Sequence, residues 1–84
     1  MVLDYGQMKK IISIHIYKGD EQYVAECYDL PVVTQGKTID ETLRNVEEAI
    51  ALHLEGEDLS ELGLAPHPSV VASIELEPAF HGGT

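Results

Sequence analysis

The sequence predicts an α+β fold of order β-β-β-α-β, a small sheet with one helix laid across one face. Three observations lead there. Residues 10–17 alternate apolar and polar side chains, as a half-buried strand does. Residues 38–56 carry a cap, a helical apolar stripe and a glycine stop. Residues 69–77 alternate again, so a last strand follows the helix. The chain has 84 residues, enough for one domain. Its expected extent is 9–78, with a loose lead-in at 1–8 and a frayed tail at 79–84.

In strand one, Ile12, Ile14 and Ile16 face one way and Ser13, His15 and Tyr17 the other. Lys18-Gly19-Asp20-Glu21 makes a hairpin turn. Strand two spans Gln22–Tyr28, and its faces are Tyr23, Ala25, Cys27 against Val24, Glu26, Tyr28. Pro31 keeps Leu30 out of helical conformations and marks the break before a short third strand, Val32–Gln35. Thr38 is the helix N-cap and Glu41 completes a capping box, while Asp40 and Glu41 favour the positive end of the helix dipole. Ile39, Leu43, Val46, Ile50 and Leu54 form the apolar stripe, and Gly56 ends the helix. Residues 55–68 are charged and rich in Gly and Pro, hence a loop with a brief helical turn around 59–62. The last strand sets Val70, Ala72, Ile74 and Leu76 against Val71, Ser73, Glu75 and Glu77, and Pro78 ends it. One helix covers one sheet face, so Tyr17, Tyr23 or Tyr28, and Val71 are expected to stay partly bare, where a partner or second subunit docks.

Composition excludes several function classes. No apolar run approaches the ~20 residues that span a bilayer, and the N-terminus has no signal-peptide core, so a cytoplasmic location is expected. A single cysteine, Cys27, allows no internal disulfide, and it reads as a small buried hydrophobe rather than a reactive thiol. The net charge is −10, of which −2 falls in residues 1–44 and −8 in residues 45–84. Such a surface repels phosphate backbones, so nucleic-acid binding is not expected, and a basic protein is the partner it would draw in. A domain this size buries only roughly 60–65% of its unfolded surface, which makes a homodimer or tetramer a reasonable expectation.

Chemistry-bearing patterns are lacking. Ser13, Cys27, Thr34 and Ser60 have no nucleophile signature around them. His15, His53, His67 and His81 form no close ligand pair, and His53 in the last helical turn suits the dipole. Glu55, Glu57, Asp58 and Glu61 lack calcium-loop spacing, and Gly36-Lys37 has no companion glycines for phosphate. No catalytic, cofactor-binding or metal-binding residue is therefore assigned, and an enzyme is the weakest of the readings.

The stretch around the helix resembles the HicB-like antitoxin family of type II toxin–antitoxin systems. The match lies in Tyr23-Val24-Ala25, Asp29-Leu30-Pro31 and Thr34-Gln35-Gly36-x-Thr38-x-x-Glu41, then Leu43, Asn45, Glu48, Ala49 and Ile50. It covers residues 9–56, and the last strand fits by position. The resemblance implies a partial RNase H-like fold without catalysis. It also implies a role: binding a small basic HicA-type toxin, which cleaves mRNA using a histidine, and plugging its active surface. Two departures stand out. Val32 occupies a position where the family usually has glycine, so that turn must differ locally. The C-terminal DNA-binding segment common in the family has no counterpart after the last strand, so autoregulation through DNA is not expected. Nuclease chemistry is not expected either, because strand one offers Ser13 and His15 where magnesium-binding carboxylates would stand. Candidate partner-binding residues are Tyr28, Asp29, Leu30 and Pro31 at the strand corner and Glu55, Glu57 and Asp58 beyond the helix. The alternative, from a different class, is a non-catalytic small-molecule-binding or scaffold module that keeps the fold without a toxin.

Overall fold

The computed structural model describes residues 8–77; residues 1–7 of the predicted 1–8 lead-in, the predicted tail at 79–84 with His81, and Pro78 lie outside them. The elements are β1 (Lys9–Lys18), β2 (Tyr23–Cys27), β3 (Val33–Gly36), α1 (Ile39–Leu54), a 3-10 turn (Leu59–Leu62) and β4 (Leu64–Ile74). This is the expected β-β-β-α-β order. The strands form one mixed sheet in the order β3-β2-β1-β4, with β1–β2 and β2–β3 antiparallel and β1–β4 parallel.

The alternation in β1 decides which face is the core. Ile12, Ile14 and Ile16 are buried in one cluster with Val46 and Ile50 of α1, and cross-strand pairing of Ile16 with Ala25 and Ile14 with Cys27 puts those two β2 residues on the same side. This settles the ambiguous faces of β2: Val24, Glu26 and Tyr28 lie on the other side. Cys27 is half-buried at the rim of the core rather than fully enclosed. Leu30, Val32, Leu64 and the helix residues Val46 and Ile50 complete the cluster.

Thr38 caps α1 as expected, its hydroxyl accepting from the Glu41 N–H at 3.0 Å. Gly56 adopts φ 75° just past the helix, a left-handed conformation that glycine enters without a Cβ clash. One helix position departs from the predicted stripe. Thr42 is fully buried, its hydroxyl donating to the Thr38 carbonyl at 2.7 Å, and it packs on Gly36. A Cβ on Gly36 would lie 2.7 Å from both the Thr42 nitrogen and Oγ1. Glycine here lets the first turn of the helix meet β3 closely, which gives Gly36 a packing reason.

Strand boundaries differ from expectation, most of all in β3 and β4. β3 begins at Val33, because Val32 turns into the core: its N–H donates to the Leu30 carbonyl at 2.8 Å, and its carbonyl accepts from the Cys27 N–H at 2.9 Å. The turn is a tight one centred on Pro31, whose fixed negative φ suits it. β4 begins at Leu64, not Ser69, and regular pairing ends at Ile74, not Glu77. In the sequence, Pro66 and Pro68 argue against a strand there. The chain accommodates Pro66 and Pro68 in a large bulge, where Lys9 pairs with Leu64 but Ile11 with Ser69. His67, between the prolines, takes φ 54°.

The face assignment of β4 holds by register, since Val70, Ala72 and Ile74 pair with Ile12, Ile14 and Ile16. Their burial does not follow. The helix packs over β2 and β3, whereas β4 lies along β1 and against the 3-10 turn. Val70 is left 44% exposed and Ile74 40%.

Candidate functional site

The sheet face opposite α1 carries no described layer of structure, and on it the register assembles a polar, aromatic row. His15 of β1 pairs with Glu26 of β2 and with Ser73 of β4, so all three share this face. The His15 ring stacks between two tyrosines, with centroids 5.8 Å from Tyr17 and 6.2 Å from Tyr28. Tyr17 donates its hydroxyl to Glu26 at 2.9 Å, and this bond to a carboxylate raises the phenol above its ordinary value of 10.0. Glu75, just past β4, places Oε2 3.2 Å from His15 Nε2. Two carboxylates therefore flank a line of three rings. Tyr28 is 67% exposed, so most of its face is available to a partner.

The corner after β2 divides its residues between outside and inside. Tyr28 and Pro31 are exposed. Leu30 is 6% exposed and belongs to the core, so its side chain does not form part of an outer surface. Asp29 also turns in, with a side chain 7% exposed. Oδ1 accepts from Lys9 Nζ at 2.6 Å and Oδ2 from the Ser13 N–H at 2.7 Å. The Lys9 ammonium and then the Ser13 amide hold this carboxyl below the ordinary 3.8. Asp29 is thus a clamp between the end of β2 and the start of β1, and it positions Tyr28.

Glu55, Glu57 and Asp58 are all exposed. Asp58 is engaged locally, accepting from the Ser60 N–H at 3.0 Å and hydroxyl at 2.7 Å, which lowers its carboxyl below 3.8 and caps the 3-10 turn. These acidic residues and the Tyr28 corner lie toward the same end of the sheet. Lys9 ties that end together, its side chain meeting Asp29 and its N–H meeting the Gly63 carbonyl. Sequence reasoning had not joined His15, Tyr17, Glu26 and Glu75 into one site. The usable signal was alternation in β1 and β2, but combining it needed the register.

No group of three His, Cys, Asp or Glu residues among those described is arranged to hold a metal ion. A hollow beside the β1–β2 hairpin is lined by Gly19, Asp20, Glu21, Gln22, Val24 and Gln35, which offer little apolar wall for a small molecule. No described helix is long and apolar enough to cross a membrane. Comparison with known protein families, curated proteins and solved structures returns no match.

Proposed function

We propose that this chain is an antitoxin-like protein with a partial RNase H-like fold, which binds a small basic, HicA-type mRNA-cleaving toxin and blocks its active surface. The observation that carries the reading is the bare aromatic–acidic face, with Tyr17, His15 and Tyr28 in a row flanked by Glu26 and Glu75. Rings beside carboxylates form a receptor for cationic side chains, through cation–π contact and charge-assisted hydrogen bonds. A surface that must dock on RNA-cleaving basic residues needs this chemistry. The net charge of −10 adds long-range attraction for a basic partner. The chain acts as a plug and contributes no catalytic group.

The test uses the toxin recovered with this chain from its native host. Its cleavage of a model mRNA is measured with and without the full chain. Stoichiometric inhibition is expected, and Tyr28→Ala together with Glu26→Lys should abolish it while the fold is retained. Inhibition that is indifferent to both substitutions removes the sheet face from the mechanism. No inhibition at all leaves the fold without its toxin-binding role.

A further inference from the structure

We infer that β4 is a self-association strand, pairing antiparallel with β4 of a second copy of this chain about a two-fold axis at Ala72. The inference is independent of the toxin reading and rests on a sheet edge that no described strand pairs with. The two edges are treated differently. β3 is short, and its Gln35 carbonyl already accepts from Asn45 Nδ2 at 2.8 Å, so the helix occupies part of that edge. β4 is long, and every residue of it from Ser69 to Ile74 is exposed. Edge strands are ordinarily guarded by charge, above all by lysine. Here residues 63–74 contain no Asp, Glu, Lys or Arg, in a chain with 20 charged side chains. That stretch is where two such acidic molecules can approach with least repulsion.

The register follows from the hydrogen bonds. The Glu75 N–H donates to the Ile16 carbonyl at 2.8 Å. Backbone groups alternate along a strand, so those of Val71 and Ser73 also point to β1, and those of Val70, Ala72 and Ile74 point to the open edge. An antiparallel copy centred on Ala72 places Val70 opposite the second copy's Ile74 on both sides of the axis. These are β-branched pairs, on the face where both residues are left exposed. Glu75 then falls opposite Ser69, so no carboxylate meets another. The arrangement is self-complementary, as a two-fold interface requires. It yields one continuous sheet and leaves the aromatic–acidic face of each copy open.

The full-length chain is examined by sedimentation velocity over a range of concentrations at low and high salt. A species of twice 9.2 kDa is expected, and it should tighten as salt screens the acidic subunits. Val70→Lys with Ile74→Lys sets lysine opposite lysine and should weaken the dimer on the order of 100-fold. Val70→Glu with Ile74→Lys sets opposite charges across the axis and should recover much of that loss. Both positions are exposed, and circular dichroism melts confirm that the variants fold. A wild type that stays monomeric, a dimer unmoved by the double lysine, or a Glu/Lys variant no tighter than the double lysine would each overturn the proposal.

Discussion

Gly36→Ala tests the packing that holds α1 on the sheet. The added methyl would lie 2.7 Å from the Thr42 nitrogen and Oγ1 and 3.0 Å from its Cα, where ordinary contact begins at 3.4 Å. Two of those atoms are backbone, so a rotamer change in Thr42 cannot relieve the clash. The first turn of α1 must retreat by about 0.7 Å, a gap that forfeits a quarter to a half of the dispersion well for the contacts it opens. Overpacking of this kind costs roughly 1–3 kcal/mol. The lower entropy of an unfolded chain bearing alanine offsets about 0.4–1 kcal/mol of it. The net expectation is a loss of about 1–2 kcal/mol, or a Tm lower by roughly 5–15 °C for a domain of this size. Thermal unfolding followed by circular dichroism at 222 nm reads it directly. Thr42→Ala in the same background should recover only part of the loss, because the backbone nitrogen remains in place. A Gly36→Ala protein with wild-type Tm would refute the close approach and, with it, the physical reason for the glycine.

Other expectations follow from the same coordinates. Asp29→Asn loses the ion pair with Lys9 and weakens the bond from Ser13, and should cost about 1–3 kcal/mol in urea unfolding. Because the folded carboxyl lies below 3.8, the contribution of Asp29 is complete above that pH and is lost as pH falls through the lowered value. Wild type and Asp29→Asn should therefore begin to converge in stability below about pH 4 and meet once pH lies below the lowered carboxyl value; an unchanged gap would show that the clamp is not the cause. His67→Val places a β-branched residue at φ 54° and should destabilise by about 1–2 kcal/mol, whereas His67→Gly should be tolerated; equal melts for the two would argue against the left-handed conformation. Glu55→Lys and Glu57→Lys with Asp58→Asn, which keeps the cap on the 3-10 turn, should slow association with the proposed basic partner and flatten its salt dependence in stopped-flow measurements. Unchanged kinetics would take these residues out of the approach path.

Much of the fold was legible because local signals agreed. Ile12, Ile14 and Ile16 fixed the inner face of β1, and Thr38 and Gly56 fixed the ends of α1. The failures share a cause, since each depends on where elements sit in space. Pro66 and Pro68 argue against a strand, and only pairing with β1 across a bulge makes the region one. The apolar residues of β4 were assigned to the correct side, but their exposure depends on α1 lying over β2 and β3 instead. The corner Tyr28–Pro31 looked like one outward patch. In the fold an aspartate and a leucine turn inward, because Asp29 has two donors waiting and Leu30 has a core to fill. The aromatic row was written in alternating residues of two strands, and it became a site only when antiparallel register set His15 beside Glu26.

The central claim is that the acidic chain is one half of a salt-sensitive complex with a small basic ribonuclease. Gentle purification of the tagged full chain from its native host, with mass-spectrometric identification of what accompanies it, tests that most directly. The account predicts a small basic protein in stoichiometric amount, released as salt rises, whose mRNA cleavage the chain suppresses. Recovery of the chain with only its own copies, at low salt as well as high, would contradict it.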